Sequence, residues 1–568
     1  MPSSFASLIR NRKRMGYLFE GTLIVVFLAF FILCPLVSVF STSFTTDKGY
    51  FTFSNYSTMF TDKEVFTAIL NSLKLGLAVT GLSILIAVPE AYILAKTRLR
   101  KLWWLDLVRR IPFRVPPYIN SMGWRLFRQR NGILYRVRPA LRPLATSFYS
   151  FFGMAWIRAR HTSPFLRTRL KSAFLSFPKS LDDARDVYVD KGYKKRTRVY
   201  APILLPNFAI GAFLVFVKAL SEYGTPATFG PTIKRTVFTT LITQKRQVAP
   251  IDFPMASSLA SVLVTICRFL FALQRIVTSK KAYDLKKEGE GKYTKKITPL
   301  ILGSLFLLIR FFFSAFIPLF TILISSFKKT LYKNLTAEGN FTFENYKIAF
   351  SDSDGFGSGF EAIGNSFLIG FATSLVVLCL GLFLAIYSFR NKKRWIGKGV
   401  EFLDRLPQRI PNIVTGIGRI RFFNAIYKVL PVYRTVFMLI IGYSVIFRPG
   451  RISYIKNALL QMPRSLIEAG EVYAKNNLAI NWRIVLPQAL KGAFYGFART
   501  LIISRRELVT AKLLQPPAFY TISLYIDLQF EQGSQQSAMA LAVVSVFRTL
   551  ALLLPLEYRT SKKKRRKR

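Results

Sequence analysis

An all-α membrane protein, with about twelve transmembrane helices in two repeated six-helix halves, is the fold class that three features of this 568-residue sequence predict. Apolar runs come first: 51% of residues are hydrophobic, mean hydropathy is +0.30, and Ala362 to Phe389 contains no charged residue, long enough to cross a bilayer with tilt. Short motifs of the first half return in the second. Lys and Arg gather at those span ends that an even number of crossings puts on one side.

The repeats set the register. FTFSNY at Phe51 returns as FTFENY at Phe341, Asn71-Ser72 as Asn365-Ser366, and IPFRVP at Ile111 as LPQRIP at Leu406. The offsets are 290 (341 − 51), 294 (365 − 71) and 295 (406 − 111), so the register drifts little over that stretch. Repeats of this length in a membrane chain read as two bundles about a pseudo-twofold axis, with the path between them.

In chain order, the first half places spans near 17–41, 66–95, 102–122, 132–158, 201–220 and 253–274. The second places them near 297–327, 362–389, 399–424, 430–448, 484–504 and 535–556. This divides the chain into a first half at 1–280, a connector at 281–296, a second half at 297–560 and a basic tail at 561–568. Pro112, Pro116 and Pro117, like Pro407 and Pro411, break the third span of each half. Such breaks are tolerated at membrane depth where they line a cavity or pack inside protein. Arg10, Arg12, Lys13 and Arg14 precede an apolar run too long for a signal peptide's core and followed by no small-residue cleavage site, so an uncleaved first span is expected.

The basic clusters at the N-terminal arm, 96–101, 159–200, 280–296, 390–398 and the tail fall on one side of a twelve-span arrangement. By the positive-inside rule that side is the cytoplasm, with both termini there. The formal charge of +54 would ordinarily suggest nucleic acid or anionic lipid. Here the basic residues are scattered among Phe, Leu and Ile, which argues for no nucleic-acid partner and for the lipid bilayer instead. Arg268, Arg310 and Arg548 lie inside apolar spans, where each costs roughly 2.5–3.5 kcal/mol on insertion scales and must find a partner, a cavity or an interface.

Cys34, Cys267 and Cys379 lie in apolar runs without metal-site or disulfide spacing, and His161, the one histidine, reads as a solvated loop side chain. No metal site, cofactor or catalytic constellation is expected, and the chain does not read as an enzyme. It also has no GxxxxGK[ST] phosphate loop, so any ATP-driven step must come from a separate subunit.

Two polar, helix-forming stretches run between spans, near 177–206 and 461–487, and share Ser-Leu at an offset of 285 (465 − 180). Each has an acidic residue beside Ala, at Asp183-Ala184 and Glu468-Ala469, and each ends in Leu-Pro. A short helix with a small residue allows close approach to a partner, and its carboxylate can pair with a partner's Arg. The plainer reading is an amphipathic cytoplasmic helix, and repetition in register counts against that.

From Glu468 to Pro487 the spacing resembles the EAA loop of binding-protein-dependent ABC importer permeases. PFRVPPYINSMGW at Pro112, SEYGTPATFG at Ser221 and ELVTAKLLQPPAFYTISLYI at Glu507 are similar to signatures of the ferric iron and 2-aminoethylphosphonate members. The resemblance implies a fused two-half permease of the type I importer fold in a bacterial inner membrane. It also implies an ABC ATPase dimer as partner and a periplasmic or lipoprotein substrate-binding protein as solute donor. Asp183, Ala184, Glu468, Ala469 and Gly470 would then dock the ATPase, and transport would proceed by alternating access. Departures exist: Ala474 stands where the family has the loop Gly, and Gly192 marks that turn in the first copy only in a register that loses the Asp183-Ala184 match.

Glu222 and Glu507 occupy matching motifs after the fifth span of each half, as pathway or gate residues or as span-end charges. Asn71 and Asn365, each followed by Ser, read as path-lining residues or as polar helix-packing contacts. Import of ferric iron is the leading expectation, with 2-aminoethylphosphonate or another small anion as the alternative. Arg in GWRLFRQRNG at Gly123 and GIGRIRFF at Gly416, where the family is apolar, leaves open an altered permease that does not transport.

Overall fold

The structure is a computed structural model that describes residues 17–102, 111–129, 150–175, 201–279, 297–351, 357–391, 394–473 and 477–566, apart from 332 and 334–336, with 132–134 and 143 also described. Among them there is no strand, and two isolated antiparallel bridges, Thr45 with Phe51 and Lys328 with Phe341, each pair the end of a helix with the first Phe of an FTF motif across loops of different length.

The helices that matter here are α1 (Tyr17–Ser43), α2 (Lys63–Lys96), α3 (Pro117–Arg128), α4 (Phe151–Leu175), α5 (Ala201–Leu220), α6 (Gly224–Ile233), α7 (Phe253–Ser279) and α8 (Leu300–Phe327) in the first part. Then come α9 (Gly359–Arg390), α10 (Trp395–Arg405), α11 (Asn412–Ala425), α12 (Val436–Leu460), α13 (Arg464–Tyr473), α14 (Leu486–Ser504) and α15 (Gln535–Arg566). Among the described residues α1, α2, α7, α8, α9, α12 and α15 each contain a stretch long and apolar enough to cross a membrane. The bent pair α5 and α6, at 59°, makes an eighth if taken as one span.

Local chemistry explains where these helices start and bend. Asp62 caps α2 by accepting from the Glu64 and Val65 amides, and Ser358 caps α9 by accepting from Glu361 N. A π-helical turn precedes Pro35 in α1 (Ala29–Leu33) and Pro318 in α8 (Phe312–Phe316), at an offset of 283 (312 − 29). Proline cannot donate to the helical ladder, and the wider turn accommodates that loss.

The third span of each half is broken at its prolines. Pro116 is extended and α3 begins at Pro117; a 3-10 turn at Leu406–Arg409 and the extended Ile410 and Pro411 separate α10 from α11. The fourth spans differ from expectation. Instead of ending near 158 and 448, α4 and α12 run to Leu175 and Leu460, and they begin 285 residues apart (436 − 151). Hydropathy stops at the arginines, but the backbone continues because those arginines find partners within the protein. His161 accordingly lies half-buried within α4, not in a loop.

The chain forms two compact units, and they do not follow the sequence halves: one comprises Met1–Thr52 with Ser351–Asp527, the other Phe53–Phe350 with Leu528–Arg568. In the first unit α1 packs on α11, so closely that a Cβ on Gly418 would lie 2.3 Å from the Pro35 carbonyl oxygen. In the second unit α8 packs on α3, and a Cβ on Gly123 would lie 2.7 Å from the Pro318 carbonyl oxygen. Gly123 and Gly418 are 295 apart, the offset of the IPFRVP repeat. The opening helix of each half therefore packs on the broken third span of the other half, through a glycine that lets backbones touch.

Each unit has its own core. Ile24, Leu28, Leu384, Val400, Ile452 and Ala489 cluster in the first, and Leu75, Val79, Trp124, Met154, Leu166 and Val215 in the second. The intramembrane arginines divide by environment. Arg310 is buried and reaches Glu90, whereas Arg268 is exposed on the outer face of α7 and Arg548 is half-buried on α15. Replacing Arg268 with Leu is expected to raise the melting temperature and expression in detergent, since it removes an insertion penalty of up to roughly 3 kcal/mol. A lower melting temperature for Arg268→Leu would show that the exposed guanidinium is stabilising.

Candidate functional site

The side chains that the sequence singles out converge on one construction made twice. In the second unit Asn71 Nδ2 donates to the Thr236 carbonyl at 3.0 Å, and the Phe238 amide donates to Ser72 Oγ at 2.7 Å. In the first unit Asn365 Nδ2 donates to the Tyr520 carbonyl at 3.2 Å, and the Ile522 amide donates to Ser366 Oγ at 2.7 Å. The partners keep their own register, 284 (520 − 236) and 284 (522 − 238). In both units a long span thus grips the segment that leads into the helix starting at Phe238 or Ile522, where backbone groups at the helix start have no intrahelical partner.

Glu222 and Glu507 sit just beyond the ends of α5 and α14, tied to the same segments. Thr239 Oγ1 donates to the Glu222 carbonyl at 2.6 Å, and Ser523 Oγ donates to the Glu507 carbonyl at 2.8 Å. Their carboxylates are served differently. Glu222 pairs with Arg158 Nη2 at 2.7 Å, whereas Glu507 Oε1 accepts from Asn412 Nδ2, the Thr510 amide and Thr510 Oγ1 at 3.3, 3.2 and 3.0 Å. Arg158 has Tyr443 as its counterpart at 285 (443 − 158), and the Tyr443 hydroxyl donates to the Glu507 carbonyl at 3.0 Å. One repeat position therefore supplies a charged donor in one unit and a neutral donor in the other.

Two buried ionic groups went unnoticed in the sequence. In the second unit Glu90, fully buried on α2, accepts on Oε1 from both Arg167 and Arg310 at 2.6 Å. In the first unit Arg448 Nε donates to Asp404 at 3.0 Å, both side chains buried. The rule that singled out the arginines would have found Glu90 as well: it is the one acid in SILIAVPEAYILAK. What no local rule supplies is its pairing with residues 77 and 220 positions away. Nearby, Arg128 and Arg160 both stack on Trp124, their guanidinium carbons 4.1 and 4.3 Å from the ring centroid.

The second polar stretch forms α13, which exposes Glu468 and Ala469 and buries Gly470. A Cβ on Gly470 would come 2.6 Å from Ile484 Cδ1, so the missing side chain lets α13 fold back onto the helical segment before α14. Leu466 and Val472 are exposed apolar residues of the same helix. Asp183, Ala184 and Gly192 lie outside the described residues. No group of three or more His, Cys, Asp or Glu side chains gathers as a metal site among the described residues.

Comparison with known proteins bears on this arrangement. Residues 377–567 match the family model of the binding-protein-dependent transport system inner membrane component. The ferric transport system permease protein FbpB of Actinobacillus pleuropneumoniae is 24% identical over 542 residues, covering 94% of this chain and 76% of that protein. An Fe(3+)-transport system permease protein, FbpB 2 of Haemophilus influenzae, is 24% identical over 465 residues, covering 80% of this chain and 82% of its own length. The matches fit a fused two-half permease of a binding-protein-dependent ABC importer. PhnV of Salmonella typhimurium, assigned provisionally to 2-aminoethylphosphonate transport, is 26% identical over 250 residues, covering 43% of this chain and 88% of its own.

In this chain Ser72 and Ser366 accept from backbone amides in buried bonds, so their loss leaves orphaned donors. Ser366→Ala, which strands the Ile522 amide, is expected to cost about 1–3 kcal/mol, with Ser72→Ala behaving alike. Thermal unfolding in detergent checks both, and unchanged melting would show that the clamp contributes nothing to stability. Glu90→Leu should be more severe, about 3–5 kcal/mol, because it leaves two buried guanidinium groups uncompensated. Replacing Glu90, Arg167 and Arg310 together by Leu should recover most of that loss, and failure of this recovery in the same melting assay would contradict it.

Proposed function

We propose that this permease moves ferric iron inward across a bacterial inner membrane by alternating access, driven by a separate ABC ATPase dimer. What carries the reading is extent: the ferric relatives align with both halves of the chain, over 94% and 80% of it, whereas the PhnV alignment covers 43%. Import of 2-aminoethylphosphonate or another small anion is the second reading, favoured by the same PhnV similarity and by the excess of Arg over acid among the buried residues.

In this reading a periplasmic or lipoprotein binding protein delivers the solute on the outer side, and both termini and both polar stretches face the cytoplasm. Glu468 and Ala469, exposed on α13, meet the ATPase, and Gly470 lets α13 brace against the segment leading into α14, so that a push on α13 reaches that span. In the first half the same role falls either to Asp183 and Ala184 or, in the alternative register, to the stretch whose turn is Gly192. Asn71 and Asn365 hold the segments carrying Glu222 and Glu507 in place. The two glutamates then serve as gate residues at the ends of α5 and α14, able to exchange Arg158 or Asn412 for another partner when the bundles move.

Radioactive iron uptake by cells expressing the permease with its ATPase and binding protein tests the substrate, with labelled 2-aminoethylphosphonate as the competing arm. Accumulation of the phosphonate and not of iron would reverse the assignment. Glu468→Arg is expected to lower uptake roughly tenfold while leaving membrane insertion intact, because it reverses the charge offered to the ATPase. Normal uptake by that variant would remove α13 from the coupling route. Cysteines placed at Lys195 and Asn477 should resist an impermeant thiol reagent in intact cells while one at Ser358 reacts; the opposite pattern would invert the orientation.

A further inference from the structure

Helix α10 follows the long span α9 after residues 391–394, so it begins at a membrane boundary. Its inner face, Ile396, Val400 and Leu403, is buried in the core of the first unit. Trp395, Lys398 and Phe402 recur at helical spacing on the opposite face, with Trp395 75% and Phe402 57% exposed. At the same end Arg394 stacks its guanidinium on the Tyr17 ring, 4.1 Å from the centroid. Arg390 Nη1 donates to Asn481 Oδ1 at 3.1 Å, which brings the exposed Trp482 to this rim.

The charges here are unevenly balanced. Glu401 is engaged by Arg405 at 2.5 Å and by Lys456 at 3.4 Å, and Asp404 is engaged by Arg448. Among the described residues no ion pair involves Arg394 or Lys398, both exposed. Exposed Trp and Phe alternating with unneutralised cations, on a helix that leaves the end of a span, match the layer where acyl chains meet headgroups. A zwitterionic headgroup would offset the phosphate charge that the cations would otherwise meet.

We propose that the Trp395, Lys398 and Phe402 face of α10, together with Arg394, binds the headgroup of an anionic phospholipid. The rings seat at the acyl boundary and the two cations meet the phosphate. This is independent of which solute the permease carries.

The test uses the full chain in phosphatidylcholine nanodiscs doped with a photoactivatable phosphatidylglycerol or, separately, a photoactivatable phosphatidylcholine, with crosslinks mapped by mass spectrometry. The phosphatidylglycerol probe should label residues 394–402 well above the phosphatidylcholine probe. Labelling should fall by about fivefold for each cation removed in Arg394→Met and Lys398→Met, while crosslinks on α7 stay constant. Each variant is read alone, so if one fails to fold the other still serves as the test. Equal labelling by the two probes would reduce the face to ordinary lipid contact and overturn the proposal. So would undiminished labelling in both Met variants, or no labelling of the helix, which would mean that water or another protein covers it.

Discussion

The rest of the structure depends on one constraint: backbone groups that leave a helix within a membrane protein must find partners other than water. The Asn-Ser pair meets this constraint twice. Asn71 and Asn365 each take up a carbonyl, and Ser72 and Ser366 each take up an amide, of the segment entering the next helix. The Ser–amide bonds of the clamp are buried, which makes that part of it stiff. It helps position Glu222 and Glu507, whose own carbonyls accept from the Thr239 and Ser523 hydroxyls of the same segments.

The two halves use this shared frame with different electrostatics. Arg158 and Tyr443 stand at corresponding positions, and only the first brings a charge to its glutamate. Deeper in each unit both groups are ionic, but they differ in composition. Glu90 holds two arginines in one unit, and Asp404 holds Arg448 in the other. Such groups are weak sources of stability, since desolvation offsets most of the attraction, but removing one member is costly. This helps explain how a chain with a net charge of +54 folds with arginines inside its bundles: Arg158, Arg160, Arg167, Arg310 and Arg448 each meet a carboxylate, an aromatic face or a carbonyl, whereas Arg419 is buried with Nε and Nη1 unsatisfied.

Exchange of the opening helices adds a second link between the halves of the chain. Gly123 and Gly418 permit α8 and α1 to press against the proline-broken spans, at the points where those spans are least regular. A broken helix needs packing partners to satisfy its freed backbone, and a helix from the other half supplies them. Each compact unit consequently contains both parts of the sequence, and motion of one bundle cannot be assigned to one half of the chain.

Hydropathy, the 285–295 residue offsets and the proline positions determined that the chain is helical, membrane-spanning, duplicated and broken in its third spans, because these depend on local pattern alone. The same patterns placed Asn71, Asn365, Glu222, Glu507 and Glu468 in repeated motifs, which the structure places beside one another or on an exposed helix. Only the tertiary structure decided that α4 continues past Arg158, that His161 lies in a helix, that Glu90 serves Arg167 and Arg310, and that α1 and α8 change places between the units. Each of those outcomes rests on residues tens to hundreds of positions apart. A one-dimensional hydropathy reading sees an arginine as the end of a span; the folded chain sees whether a carboxylate from another helix is within hydrogen-bonding reach.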